Sequence, residues 1–476
     1  MFGKKTVLNA LLAVGIGTMG MSSAMAAVSA EEAKQLGGAK LTEFGAERAG
    51  STDGSIPAYT GGLTLKDVPS YDPIKNAVYV DPYASEKPLY SINAQNIAQY
   101  DALLSPGNKL LIKSYPGYRI DVYPSHRTMR YTPAVLANSI KNATTAHLGG
   151  PVEGDNLLGA DEGNNAYPGI PFPIPKTGAE VIWNHYMHFA PTIRRQSVNG
   201  YVVDTAGNIT SLPHLIQVTV HPWYDTNKTK PLRKEIPSDA IFGFNSTETA
   251  PPTSAGIVFL NFYTARGEDG GQKVWFYTPG QRRVRMAPEF AYDVPIASFG
   301  GVLAWDELLG YVGRLDRFDF KIVGKKEMII PYNDYKLVME TGEKDMFKPK
   351  FLNPDQLRWE KHRVWVVEAT RKPGARHMYS HRTFYIDEDS WEIVGAEQYD
   401  NAGNIYRVQQ NFLWAHYDTG GMSESTWGTY DVIKGNFVIV NVNAKNPDNQ
   451  FRAWMDSDCC KNLNLTPQSV AASGVR

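Results

Sequence analysis

The sequence predicts an α+β protein in which a large, curled antiparallel sheet carries intervening helices and is preceded by a long N-terminal wrapping arm. Three observations predict it. The runs 377–386, 391–399 and 404–416 are joined only by Asp387-Glu388-Asp389-Ser390 and Asp400-Asn401-Ala402-Gly403. Connections this short force sequential antiparallel neighbours, because a parallel crossover needs about a dozen residues. From about Gly200 the apolar period changes from helical to two. Before that point, residues 27–190 read as short helices set in Gly- and Pro-rich coil. So many long strands should curl and present one face to a core.

In chain order, the run 6–21 is apolar or small apart from Asn9, follows two lysines and precedes Ala24-Met25-Ala26. It reads as a secretory signal peptide (1–26) cleaved after Ala26, short of a membrane span of about 20 residues and broken by Gly15, Gly17 and Gly20. The mature product is expected to be soluble and periplasmic. The arm follows (27–195). Ser29-Ala30-Glu31-Glu32 is a capping box, and Asn93 can cap a helical face carrying Ile97, Tyr100, Leu103 and Leu104. Thr132-Pro133 opens a helix through about Asn142. Pro171-Phe172-Pro173-Ile174-Pro175 must be extended, and Thr177-Gly178-Ala179-Glu180 starts a helix through Trp183 and His185. In the β region (196–420), Asp204-Thr205-Ala206-Gly207-Asn208 and 266–271 are hairpin turns. The run 364–369 is a further strand, and Asn353-Pro354-Asp355-Gln356 begins an interrupting helix. Residues 421–476 hold terminal strands and a tail.

Composition excludes several classes of function. Lys+Arg 48 against Asp+Glu 49 in 476 residues leaves no basic footprint for nucleic acid. The two cysteines, Cys459-Cys460, are neighbours and cannot staple distant segments or build a four-thiolate zinc site. No nucleophile elbow, P-loop or His-Glu-x-x-His motif occurs, and no cofactor is expected. His185 and His188 stand at i,i+3, a spacing that can bring two imidazoles to one metal, but no further ligand is identifiable from sequence. Asp387-Glu388-Asp389 lacks the Gly and terminal Glu of a calcium loop and reads as a solvated turn.

The candidate ligand-binding residues are aromatic. Phe259, Phe262, Trp275, Phe276, Trp365, Phe384, Phe412 and Trp414 supply bulk either for an ordinary core or for the lining of an apolar cavity between sheet and arm. Trp275 and Phe276, being adjacent, must point to opposite faces. Arg282, Arg283 and Arg285 repel one another unless paired, for instance with Glu289 or Asp293, or unless they meet an anionic headgroup at a cavity rim.

Longer strings carry a resemblance: Asp53-Gly54-Ser55-Ile56-Pro57-Ala58-Tyr59-Thr60-Gly61-Gly62-Leu63, Tyr123-Pro124-Ser125-His126-Arg127, Gly169-Ile170-Pro171-Phe172-Pro173-Ile174-Pro175, Val323-Gly324-Lys325-Lys326-Glu327 and Phe384-Tyr385-Ile386-Asp387-Glu388-Asp389-Ser390-Trp391. Over nearly the whole mature chain the sequence resembles the exported proteobacterial family called domain of unknown function 1329. Val274-Trp275-Phe276-Tyr277-Thr278-Pro279 with the arginine run is more distantly similar to the LolA/LolB outer-membrane lipoprotein-sorting superfamily. The resemblance implies a half-barrel closed by helices over an apolar cavity. It also implies a non-enzymatic carrier or binding protein for a lipid or other hydrophobic ligand. An outer-membrane channel-like protein and an efflux-type permease are the implied partners. The alternatives are an assembly or docking factor for such a partner, and an exported hydrolase using His126 or the His185/His188 pair.

Overall fold

A computed structural model describes residues 28–473 except 153, 161–164, 233–235, 237–239, 268–270, 288–291, 424–425, 446–449 and 461–462. The signal-peptide segment and Glu289 lie outside the described residues. A 17-stranded sheet organises the molecule. Its first half is an antiparallel succession: β1 (Ile193–Val203), β2 (His214–Val220), β3 (Ala240–Ala250), β4 (Val258–Thr264), β5 (Gln272–Thr278) and β6 (Arg283–Met286). The second half is another: β7 (Phe318–Pro331), β8 (Trp359–Arg371), β9 (His381–Asp387), β10 (Ile393–Tyr399), β11 (Ile405–Asn411), β12 (Trp427–Asp431) and β13 (Asn436–Val442).

The long strand β1 joins the halves. Its first part, from Ile193 to Val198, pairs with β2, and its last part pairs with β13, Val203 standing opposite Phe437. The ladder runs from β6 at one edge to β7 at the other, so the sheet curls without closing into a barrel.

The tight turns place the strands as their lengths require. The segment 209–220 divides into Ile209–Ser211 and His214–Val220 around Pro213, which has no N–H to give a ladder. The expected helix after Asn353 is only a 3₁₀ turn, Pro354–Gln356, because Leu357 returns to extended geometry to enter β8. In the arm, α1 (Pro106–Ser114), α2 (Pro133–Thr145) and α3 (Gly178–Tyr186) start at Ser105, Thr132 and Thr177, whose hydroxyls each accept a backbone N–H of the first turn. α2 runs past Asn142 to Thr145.

Strand alternation feeds two cores. Val438 and Val440 enter one with Val181, Ile182 and Trp183 of α3, Phe44 and Tyr311. Phe437 and Ile439 enter the other with Tyr79, Ile92, Leu111 and Ile120 of the arm. The second half of the sheet thereby has core packed on both of its faces.

The acidic turn departs from its expected solvation. Asp387, Glu388 and Asp389 are 0%, 2% and 1% exposed. Arg127 of the arm donates from Nε and Nη2 to both Asp389 oxygens at 2.8 and 2.6 Å, and Lys325 reaches Glu388 at 2.8 Å. Arg363 adds a contact to Glu388 at 3.3 Å. Three cations offset three carboxylates, which is what makes the burial tolerable. Burial still pushes Asp387 up to about 6 and raises Glu388. The strings noted in the sequence converge here: Tyr59 lies under the Arg127 guanidinium, Lys361 binds Asp53, and Tyr131 donates to the carbonyl of Asp389.

Candidate functional site

The concave face of the first half is hollow. Alternate residues of four strands point into one chamber of about 180 Å³: Leu215, Gln217 and Thr219 of β2, Phe242, Phe244 and Ser246 of β3, Phe259, Asn261 and Tyr263 of β4, and Val274 of β5. Trp427 and Val440 of the second half form its back wall, and Ile296, Phe299, Trp305, Leu308 and Leu309 roof it. The walls are mostly apolar. Polar residues stand between them, Arg194 and Glu248 included; Gln217 donates to Ser246 at 2.9 Å and Asn261 to Tyr263 at 3.1 Å, and Gln196 donates to Gln217 at 2.6 Å from outside the lining. A wider groove of about 560 Å³ lies between the arm and strands β7–β10 of the second half, with a mixed lining in which Lys109, Lys326, Glu368 and His381 stand beside Val323, Met328, Val366 and Tyr385.

The roof is locked by charge. Its backbone doubles back at Gly300 and Gly301, both with positive φ, and Ile296 N–H donates to Leu303 O. It then delivers Asp306 and Glu307 to the second half of the sheet. Asp306 accepts from Arg382 at 2.7 Å and from His377 at 2.9 Å. Glu307 accepts from Arg407 at 2.5 Å and Tyr379 at 2.9 Å, and Gln409 binds its backbone carbonyl. Both acids, Arg382 and Arg407 are essentially inaccessible. Burial alone would raise the Asp306 carboxyl, but Arg382 and His377 more than reverse that and hold it at about 2. The roof is therefore anchored to the second half of the sheet by four buried charges.

The structure separates the aromatic candidates. Phe259 lines the chamber, and Phe276 is its cross-strand partner on the same face. Phe262 and Trp275 lie on the opposite face, where Phe262 packs with Leu260, Tyr277, Leu465 and Val470. Trp365 stacks on Trp391 under the Lys325 ammonium, and Phe384 packs against Tyr311. Phe412 and Trp414 belong to the core beneath the arm, Trp414 beside Tyr79. Arg282, Arg283 and Arg285 are exposed on β6 and the turn leading into it, Arg285 standing opposite Phe276 one strand beyond the chamber lining. Asp293 accepts instead from Met378 N–H at 2.6 Å. Cys459 and Cys460 form a disulfide. His126 stacks on Tyr83 and pairs with Glu86 at 2.8 Å.

The roof acids and their arginines carry no local sequence signal, since Asp306 and Arg382 meet only through the tertiary fold. No helix among the described residues is long and apolar enough to cross a membrane.

Comparison with known proteins adds a family. The chain is 38% identical over 454 residues, 95% of each chain, to the uncharacterized protein PA3922 of Pseudomonas aeruginosa. A solved DUF1329 family protein from Desulfovibrio piger is similar at 11% identity and TM-score 0.40, covering 62% of this chain and 97% of its own. A putative outer membrane lipoprotein-sorting protein domain from Vibrio parahaemolyticus matches at 12% identity and TM-score 0.39, covering 61% and 97%. The LolA superfamily protein NE2245 from Nitrosomonas europaea matches at 10% identity and TM-score 0.31, covering 56% and 90%. The family described as protein of unknown function (DUF1329) matches residues 91–470, and with the 38% identity across nearly the whole chain this shows that the protein belongs to that family.

Proposed function

We propose that the protein is a carrier or binding protein for a lipid or similar hydrophobic molecule, held in the chamber under the roof. The observation that supports the reading is the apolar hollow of about 180 Å³ on the concave face of the first half of the sheet. Each 100 Å² of guest surface removed from water there contributes about 2.5 kcal/mol without any specific polar contact. Outward movement of the 292–313 segment would widen the entrance at the expense of the Asp306 and Glu307 contacts to Arg382 and Arg407. The expected signal peptide ending at Ala24-Met25-Ala26 supports a periplasmic site for this work, and the family resemblance suggests delivery to or from an outer-membrane channel-like protein and an efflux-type permease.

The test is native mass spectrometry of the mature protein taken from the periplasm, paired with titration of a fluorescent fatty acid. Co-purified lipid-like mass and saturable probe binding are expected. A clean apo spectrum together with no probe binding would exclude the carrier and leave the docking role.

A further inference from the structure

Beside the chamber lies a smaller cavity of about 70 Å³ that shares Phe242, Tyr263, Trp305 and Leu309 with it. Its wall includes the two histidines whose spacing stood out in the sequence. The capping box of Thr177 and Glu180 starts α3 so that His185 falls in its last turn, and His188 follows one turn later on the same side. Both rings are buried. The fold brings them a carboxylate that no sequence spacing announces: Glu392, buried at the head of β10 immediately after the acidic turn.

Ligand atoms of His185, His188 and Glu392 all lie within 4.8 Å of one another. His188 Nε2 is 3.0 Å from Glu392 Oε1, and His185 Nδ1 is 3.4 Å from Glu392 Oε2. Two atoms bonded to one zinc at about 2.0–2.1 Å in a tetrahedron stand roughly 3.3 Å apart, so both separations are those of ligands sharing a cation. The tautomer fits as well. His188 Nδ1–H donates to the His185 carbonyl at 2.6 Å, which turns the Nε2 lone pair toward Glu392. A carbonyl holding the second ring nitrogen is the usual outer support of a metal-bound imidazole. Ile393 N–H donates to His185 Nδ1 at a long 3.4 Å, a contact that a cation at Nδ1 would replace.

We infer that His185, His188 and Glu392 bind one divalent first-row transition ion, zinc being the best match to two imidazoles and a carboxylate. Three protein ligands leave a fourth position, and the two imidazoles line the cavity onto which it opens. The inference is independent of the carrier reading, because metal stoichiometry is read without any guest.

The experiment uses the untagged mature chain, stripped with a chelator, dialysed against zinc and analysed for metal, and titrated separately with cobalt(II) for its visible d–d absorption. One metal per chain and a low-symmetry cobalt spectrum are expected. Glu392→Gln, which keeps the side-chain shape, and His188→Ala should each weaken binding at least about tenfold. His362→Gln should leave the metal in place, although His362, Asp387 and Asp389 form a second donor cluster. No zinc retained by the wild-type chain overturns the inference, whatever the fate of the variants. Loss of metal in His362→Gln with retention in Glu392→Gln overturns it equally.

Discussion

The first half of the sheet, β1–β6, keeps an apolar hollow on its concave face, whereas the second half, β7–β13, has core on both faces, is crossed by buried ion pairs and is open only in a groove of mixed polarity beside the arm. The two halves share one ladder and similar strand lengths, so the difference is not one of β architecture. It lies in what covers each face. The arm and α3 pack solidly against the second half, and Arg127 is bound into its acidic hairpin. The chamber of the first half is roofed by the 292–313 segment, which takes its anchorage from the other half, while α3 reaches Phe242 and Tyr263 beside it. One half is the packed frame, and the other keeps the apolar hollow.

The largest expected break falls on the frame. Arg127→Ala strands the Asp387–Asp389 carboxylates in the interior and should cost about 3–5 kcal/mol of stability, measured by urea unfolding. A loss comparable to a surface change would mean that the arm does not clamp the hairpin. Acid should act on the roof next. The folded Asp306 carboxyl is held at about 2, below its ordinary 3.8, so its stabilisation is present above pH 3.8 and is lost as the pH falls through 2. Relative to Asp306→Asn, the wild type should lose roughly 2 kcal/mol between pH 5 and pH 2. A constant difference across that window would show that the lock contributes nothing.

On the hollow side, Leu215→Trp should fill the chamber and weaken fatty-acid probe binding about tenfold, roughly 1.4 kcal/mol, with the fold intact by circular dichroism. Unchanged affinity would place the probe elsewhere. The smallest effect is expected at the edge. The Arg282/Arg283/Arg285→Ala triple variant should shift unfolding by no more than about 0.5 kcal/mol, because all three side chains are exposed.

Strands β9, β10 and β11 were legible because short Asp-rich turns dictate local antiparallel pairing, and α2 and α3 because their caps are local too. Strand β7 was not. Its period breaks at a bulge between Ile322 and Gly324, and its middle carries Lys325 and Glu327, whose partners Glu47, Glu388 and Lys361 are remote in sequence. The chamber was legible only as a possibility. Alternation separates Trp275 from Phe276 but does not say which face stays open, because that is decided by a roof without periodic pattern. The acidic turn was misread for a related reason: turn residues are ordinarily wet, and nothing near Asp389 announces Arg127.

The pairing of β1 with β13 has a consequence for how the molecule is made. A ribosome that has delivered residues up to Asp431 has produced every strand of the two meanders except the one that zips them together. Contacts so distant along the chain form late and slowly. Val440, part of the rear of the compartment, arrives with that final strand. Translation must be nearly over before there is any enclosure to occupy.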